Sequence, residues 1–548
     1  MSGYTPQFTS LDRRAFLALG GGLIAATATG ARAQAPAKPS KPTGQIIVGI
    51  SQEARVLNPL MPATFSDHGL WWAIFDPLWT IDPNGKPLPR LAREVPSTEN
   101  GGISSDGLNW RIKLRDDVTW HDGKPFTAED VKFTIELIKS PDFPARTRLG
   151  HELVQDIQVI SPYEISWKMS KAYSPYISAL AACWIIPKHA FDGQNPTTAP
   201  FNNEPIGTGP FRWSERVAGN QILLKANTKY YGDGPYVDRV IYKYIPDLNA
   251  LYAQFQTGQI DYIGAQGILP NFYKDAVKLP QRKIWLSISP GFEIVQFNLS
   301  LPIFQDRAVR EALYAGINKE VMVDVLNYGL AKPTESILPP SHWAFNPGLP
   351  VQKYDPAHAN ALLDAAGWRL GKGGIRERDG RPLEFSLSST SGNQLRQQIE
   401  QYLMQDWQKI GVSIKIDNKP AAELFGNFFN QSKFEAILLT SIWYQNGDPD
   451  FSGRLKSDKV RASGGMNYSF YKNAELDKLL EDGARSFNQD ERRAIYQKAE
   501  ALVRNDLPML PLFHAPIIEG TKENLIGYEV NVNMTMQTWN IGSWYWAT

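Results

Sequence analysis

The chain has 548 residues, and its 57 Lys and Arg residues almost balance its 56 Asp and Glu residues. A near-neutral chain without a basic block has no electrostatic footprint for nucleic acid or for a lipid surface. Its single cysteine, Cys183, excludes a disulfide within the chain.

The N-terminus reads as an export signal. Arg13-Arg14 is followed at once by Phe16-Leu17, and a Gly- and Ala-rich apolar run then ends at the small-x-small site Ala31–Ala33. This pattern resembles a twin-arginine signal peptide. The run is shorter than the roughly 20 apolar residues of a membrane-spanning helix. We therefore expect cleavage near Ala33, a disordered leader at 34–44, and a monomer free in the periplasm without stable membrane insertion.

Local patterns then predict the first elements. Ile46–Ile50 is apolar and typical of a strand, and Trp110–Arg115 alternates apolar and charged residues, which indicates a strand with one buried face. Thr127 precedes Glu129 and Asp130 and caps a predicted helix, because carboxylates favour the first helical turn.

The second half of the chain repeats this pattern. Asp355-Pro356 opens a predicted helix that Gly367 closes, and another helix precedes a strand that begins after Gly411. Asn473 and Asp490 are the predicted caps of two later helices. Helices that alternate with strands throughout predict a mixed α/β chain of more than one lobe.

The sequence contains none of the common catalytic patterns. It has no G-x-S-x-G elbow, no phosphate-binding glycine loop and no pair of histidines at helical spacing. Cys183 lies in an apolar run and reads as a core thiol. His121-Asp122 and the pair Asp448 and Asp450 stand in turn sequences, where a structural role is expected. We predict no catalytic residue, no cofactor and no metal site, so binding is favoured over catalysis.

A resemblance to a known family rests on six stretches in a fixed order. Leu114–Val131 (LRDDVTWHDGKPFTAEDV) closely resembles the signature of the family 5 extracellular solute-binding proteins, which include dipeptide, oligopeptide and nickel binders. The other stretches are Gly207–Phe211, Tyr230–Tyr262, Phe304–Asn318 (FQDRAVREALYAGIN), Tyr354–Trp368 (YDPAHANALLDAAGW) and Gly447–Asp450.

The resemblance implies a periplasmic binding protein-like α/β fold with two lobes built from three domains. A hinge and a ligand cleft would separate the lobes, and Gly207, Gly209, Pro290 and Gly291 are the candidate hinge residues. The expected segments are 45–79, 206–287 and 509–548 for a discontinuous domain I, 80–205 for an inserted domain II, and 288–508 for domain III.

The resemblance also indicates ligand-binding residues. In peptide-binding relatives an Asp just before the Gly-Asp-Pro-Asp run captures the free amine, whereas this chain has Gln445 there. A neutral amide supplies no charge to an ammonium, which disfavours ordinary free-amine peptides. Trp443 and Tyr444 are candidates to stack on a sugar or a planar ligand, or else to pack at the domain edge. The neighbouring candidates are Asn446 and Asp448.

Two further segments resemble cleft positions of the family. Asn467 and Tyr468 follow a glycine pair, and Glu53 and Arg55 lie in a segment after the first strand. The planar fork of Arg55 suits a carboxylate, although a solvated surface role is equally compatible with the sequence.

These observations predict the solute-binding subunit of an ABC importer. It would capture a peptide-like, opine-like or oligosaccharide solute by lobe closure and deliver it to the membrane permease and its ATPase. The alternative on the same fold is a carrier of a metal complex or haem. A sensor or chaperone-like role on the same fold and a secreted hydrolase are the remaining alternatives.

Overall fold

The computed structural model describes residues 36–264, 267–442, 447–463, 465–534 and 536–547. From Lys38 onward they belong to one compact unit. In this described part, no helix combines the length and apolar character needed to cross a membrane.

Strands and helices alternate along the unit, so the predicted mixed α/β composition is confirmed. The strands are β1 (Gln45–Ile50), β2 (Trp79–Ile81), β3 (Pro87–Pro89), β4 (Asn109–Lys113), β5 (Val154–Ser161), β6 (Glu164–Met169), β7 (Phe211–Val217), β8 (Gln221–Ala226), β9 (Arg239–Tyr244), β10 (Tyr262–Ile263), β11 (Arg282–Phe297), β12 (Arg369–Leu370), β13 (Arg376–Arg378), β14 (Arg381–Pro382), β15 (Glu384–Ser388), β16 (Ser413–Ile416), β17 (Ala436–Ser441), β18 (Met509–Lys522), β19 (Leu525–Ile526) and β20 (Tyr545–Trp546). The helices are α1 (Phe65–Ile74), α2 (Ala128–Lys139), α3 (Tyr176–Ala181), α4 (Leu248–Gln256), α5 (Tyr273–Ala276), α6 (Pro302–Gln305), α7 (Arg307–Ala315), α8 (Lys319–Leu326), α9 (Pro356–Ala365), α10 (Gln394–Gln408), α11 (Ala421–Glu423), α12 (Ser452–Leu455), α13 (Ala474–Arg485) and α14 (Gln489–Asp506).

A ten-stranded sheet runs through the unit in the order β16-β15-β17-β11-β18-β10-β1-β9-β8-β7. The long strands β11 and β18 pair antiparallel at its middle. We call β1 and β7–β10, together with the separate sheet of β4, β5 and β6, the first lobe. Strands β15–β17 and the helices around them are the second lobe. β11 and β18 therefore run from one lobe into the other.

Each lobe buries its own apolar side chains. In the first lobe Trp71, Trp79 and Trp110 belong to one core cluster, whereas in the second lobe Leu403 and Trp407 belong to another. The first cluster is made of first-lobe residues apart from Ala484, so each lobe has a core largely of its own.

The predicted caps were mostly right, because capping depends on neighbouring residues alone. Thr127 and Asp130 form a reciprocal capping box at the start of α2, and the side chains of Asp355 and Asn473 cap α9 and α13. The cap predicted at Asp490 was wrong. Asn488 caps α14 by accepting from the backbone N of Glu491, which places Asp490 inside the first turn.

Candidate functional site

The segment 51–57 leaves β1 and is held by the N-terminal turn of α1. Asp67 Oδ1 accepts hydrogen bonds from the backbone N of Arg55 (2.6 Å) and of Val56 (2.9 Å). Trp71 Nε1 donates to the Val56 carbonyl at 2.9 Å. Both helix residues were missed in the sequence, although Thr64 and Asp67 have the spacing of a capping box.

Glu53 and Arg55, the charged candidates of this segment, differ in environment. Glu53 accepts from the backbone N of Gly219 at 3.0 Å and from Arg216 Nη2 at 2.7 Å. These two contacts lower the pKa of Glu53 to about 2. The Arg55 side chain is 73% exposed and lies 3.2 Å from Glu53. Their contact with a ligand stays a prediction.

The segment of Trp443, Tyr444, Gln445 and Asn446 lies outside the described residues, so its ligand contacts also stay predictions. The next residue, Gly447, is held by two hydrogen bonds. Its carbonyl accepts from Trp343 Nε1 at 2.8 Å and from His342 Nε2 at 3.0 Å. The second lobe thereby fixes the point from which this segment departs.

Asp448 is buried and bonded within the second lobe. Its Oδ1 accepts from Arg492 Nη2 at 2.8 Å and from the backbone N of Asp450 at 3.0 Å. The side chains of the ion pair are only 5% and 9% exposed, so the charge of Asp448 is balanced inside the protein. These contacts fit the structural role predicted for the Gly-Asp-Pro-Asp turn, and ligand contact by Asp448 stays a prediction.

Asn467 and Tyr468 are also buried. Asn467 Nδ2 donates to the carbonyls of Lys456 (3.1 Å) and Tyr471 (2.8 Å). The ring of Tyr468 packs against Phe429 with centroids 4.7 Å apart. The Asn467 amide and the Tyr468 ring thus make contacts within the second lobe, and ligand contact by either residue stays a prediction.

The backbone at Gly207 and Gly209 passes beside the C-terminal end of α1. The backbone N of Gly209 donates to the Ile74 carbonyl at 2.8 Å. His121 Nδ1 accepts from the backbone N of Gly207 (3.1 Å), so its Nε2–H donates to the Gly209 carbonyl (3.0 Å). His121 thus holds this segment within the first lobe, and a hinge role for the two glycines stays a prediction. Burial lowers its pKa to about 4, which keeps the ring neutral.

Pro290 and Gly291 lie in an irregular part of β11. The pairing with β18 is regular up to Ile288 opposite Pro516 and resumes at Phe292 opposite His514. His514 Nδ1 donates to the Ser289 carbonyl at 3.1 Å across this irregularity. Both strands that join the lobes therefore lose their regular ladder at one level, although a hinge role stays a prediction.

The lobes touch at a seam to which loops, the end of α13 and strand β4 contribute. The backbone N of Ser174 in the first lobe donates to the Ala484 carbonyl in the second at 2.7 Å. The Tyr173 hydroxyl donates to Asp450 Oδ2 at 3.1 Å. Phe487 reaches across and packs edge-on against Trp110, with centroids 6.2 Å apart.

Neither a reactive thiol nor a metal site finds support among the described residues. Cys183 is buried, as predicted, and burial raises its pKa to about 12, so its thiol is inert at neutral pH. Across the described residues no cluster of three or more His, Cys, Asp or Glu side chains could hold a metal ion.

Comparison with protein families decides the identity. Residues 86–462 match the model of the bacterial extracellular solute-binding proteins, family 5. This chain belongs to that family. The resemblance seen in the sequence is confirmed, and the members of this family are substrate-binding proteins.

Three relatives illustrate the range of this solute-binding family. The oligopeptide-binding protein AppA of Bacillus subtilis is 28% identical over 92% of each chain. Its structure with a nonapeptide matches with a TM-score of 0.79 over 93% of this chain and 100% of AppA. NikZ of Campylobacter jejuni, solved with Ni(L-His), is 29% identical with a TM-score of 0.79, over 92% and 99%. Heme-binding protein A of Haemophilus influenzae is 25% identical, over 79% of this chain and 82% of its own. The predicted fold class is confirmed.

Two arginines of this solute-binding protein were not singled out in the sequence. Arg146 follows α2 in the first lobe, and Arg454 lies in α12 of the second lobe. Burial lowers the pKa of both guanidinium groups, and neither has an ion-pair partner among the described residues. No local pattern marks them, because an arginine without a partner is recognised only once its neighbours are known.

Proposed function

We propose that this protein is the solute-binding subunit of an ABC importer, exported to the periplasm as a monomer. It captures a small organic solute between its lobes and delivers it unaltered to the membrane permease. The observation that carries this proposal is the joint loss of register in β11 and β18 between two separate cores. Two strands that pass between the lobes and lose their regular ladder at one level would permit the rotation that closes a cleft.

Lobe closure gives the permease a form of the protein that is populated only when solute is bound. A solute that contacts both lobes binds the closed form better and shifts the population toward it. We propose Glu53, Arg55, the segment 443–446, Asp448, Asn467 and Tyr468 as the residues that face the solute, and Gly207, Gly209, Pro290 and Gly291 as the hinge. The segment boundaries given in the sequence analysis belong to this proposal.

Thermal-shift screening of the purified protein tests the function. The panel contains dipeptides, oligopeptides, opines and oligosaccharides. A bound solute at a hundredfold excess over its dissociation constant stabilises the fold by about 2.7 kcal/mol. Trp443→Ala should remove the shift, whereas Trp213→Ala, on the edge strand β7 of the first lobe, should retain it. Chemical conversion of a panel member would refute the proposal, and strong stabilisation by free-amine dipeptides would refute our interpretation of Gln445.

The alternative is a carrier of a metal complex or haem. NikZ, solved with Ni(L-His), and the Haemophilus protein named for haem favour it. Adding Ni²⁺ with histidine, or haem, to the purified protein separates the two proposals. Stabilisation by either, with no response to the organic panel, would support the alternative.

A further inference from the structure

A cavity at the seam between the lobes is lined by residues of both. Its volume is 250 Å³. Tyr173 of the first lobe and Ala484 of the second line it, and both residues take part in the hydrogen bonds that join the lobes there. None of the candidate solute-facing residues that the structure describes lines this cavity. It is therefore distinct from the set of residues proposed for the cleft.

The floor of the seam cavity is apolar. Leu480 and Ala484 of α13 are buried, and Leu149 and Leu153 of the first lobe are half-buried. A volume of 250 Å³ holds about eight water molecules at ~30 Å³ each. It lies below the roughly 300–1,000 Å³ of pockets for drug-sized ligands. The cavity therefore suits a compact ligand with one apolar group.

Charged side chains line the rest of the seam cavity, and four of those in the second lobe neutralise one another. Lys456 Nζ lies 2.9 Å from Asp458 Oδ2 and 3.0 Å from Glu481 Oε1. Arg485 Nη2 lies 3.6 Å from Glu481 Oε2. These two cations and two carboxylates balance, so they leave no net charge for a ligand.

Three further charged residues of the seam cavity have no ion-pair partner among the described residues. They are Glu152 and Lys171 of the first lobe and Lys459 of the second. Partial burial raises the pKa of the Glu152 carboxyl, and the positive charges of Lys459 and Lys171 oppose this rise. The carboxylate therefore lies within electrostatic range of one lysine from each lobe and forms an ion pair with neither.

We infer that the seam cavity binds a small zwitterion with an apolar side chain, of the class of the free aliphatic amino acids. In this arrangement Glu152 accepts hydrogen bonds from the ligand ammonium, and Lys171 and Lys459 donate to its carboxylate. The ligand side chain lies on the apolar floor. A free amino acid carries both charged groups on one carbon atom, which matches the closeness of Glu152 to both lysines, whereas a peptide holds its charged ends further apart.

The inference goes beyond the proposed function, because it assigns a second site with its own ligand. Lys171 and Lys459 belong to different lobes, so a ligand that contacts both binds the closed form better than the open form. By linkage, this ligand and a solute in the cleft each raise the affinity for the other. Only this coupling depends on the proposed lobe movement.

Calorimetry with three small probes tests the chemistry of the seam cavity. Leucine carries an ammonium and a carboxylate, 4-methylpentanoate only the carboxylate and 3-methylbutylamine only the ammonium. We expect leucine to bind at least about 10-fold more tightly than either of the others, because each of them lacks one charge-assisted contact. If 4-methylpentanoate or 3-methylbutylamine binds as tightly as leucine, the inference is overturned.

Substitutions locate the bound leucine. Glu152→Gln, Lys171→Gln and Lys459→Gln should each weaken leucine binding by about 10-fold. Lys498→Gln is the matched control, because Lys498 is exposed on α14 of the second lobe and does not line the cavity. All four variants should unfold at the temperature of the parent protein, because none of these side chains has an ion pair to lose.

The remaining outcomes separate this inference from the proposed function. No binding of leucine up to about 10 mM, or binding that none of the three cavity substitutions weakens, would overturn the inference. An effect of only one of the two lysine substitutions would place the ligand on a single lobe and overturn the bridge. Each of these results leaves the proposed function to the solute screen. Bound leucine that leaves the radius of gyration in X-ray scattering unchanged would overturn its coupling to closure.

Discussion

Tyr173 and Asp450, 277 residues apart in the chain, are joined by a 3.1 Å hydrogen bond from the Tyr173 hydroxyl to Asp450 Oδ2. The bond crosses the seam between the lobes, and both of its partners are protein side chains. Such a contact adds to the free energy of closure whatever the solute is.

We therefore predict that Tyr173→Phe weakens the binding of every solute by the same factor, about 5-fold for one lost hydrogen bond. Calorimetry with two chemically different solutes checks this. Tyr163→Phe, at a surface turn of the first lobe, should change neither affinity. A loss confined to one solute would place Tyr173 in the binding site instead.

The buried pair of Asp448 and Arg492 makes a second prediction. Asp448→Asn leaves Arg492 buried without a counter-charge and should lower the free energy of unfolding by about 3 kcal/mol. Urea denaturation measures the change. Asp482→Asn, which breaks the exposed pair with Lys478, should cost less than about 1 kcal/mol. Equal effects of the two substitutions would contradict a structural role for Asp448.

Glu519 predicts a pH dependence of stability. Its carboxyl is 1% exposed and accepts from the hydroxyls of Tyr262 (2.9 Å) and Tyr528 (2.5 Å). Burial raises its pKa to about 7 from an ordinary value of 4.5. The folded state therefore holds this proton more tightly than the unfolded state, so the contribution is full below pH 4.5 and is lost as the pH rises through 7.

Between pH 4 and pH 8 the parent protein should lose about 3 kcal/mol of its free energy of unfolding through Glu519. Glu519→Gln should abolish this loss. Urea denaturation of the parent and the variant across that range is the measurement. Glu500, whose pKa burial also raises to about 7, is present in both proteins and cancels in the difference. Parallel pH profiles for the two proteins would rule out a protonated Glu519 in the folded state.

Local and long-range features differ in how well the sequence predicted them. The cap at Thr127 depends only on the next three residues, so the sequence predicts it correctly. The prediction of a cap at Asp490 was wrong because Asn488, two positions earlier, has the same capping chemistry. The pairing of Asp448 with Arg492 and the unpaired state of Arg146 depend on segments brought together by the fold. The resemblance predicted the family, but a contact such as that of Ser174 with Ala484 could be assigned only from the structure.

The candidate hinge glycines yield a matched pair of substitutions. A Cβ at Gly207 would lie 1.8 Å from the Ile74 carbonyl oxygen, whereas at Gly291 the nearest atom is the side-chain methyl Thr440 Cγ2 at 3.0 Å. Gly207→Ala should therefore lower the free energy of unfolding by about 2 kcal/mol or more, and Gly291→Ala by less than about 1 kcal/mol. Urea denaturation of both variants checks this, and the reverse order would contradict the close approach at Gly207.

Small-angle X-ray scattering of the purified protein, with and without a solute that stabilises it, tests lobe closure most directly. We predict that the radius of gyration falls on binding and that mass spectrometry recovers the solute unchanged. An unchanged radius of gyration at saturation, or a solute recovered in altered form, would contradict closure around an untransformed solute.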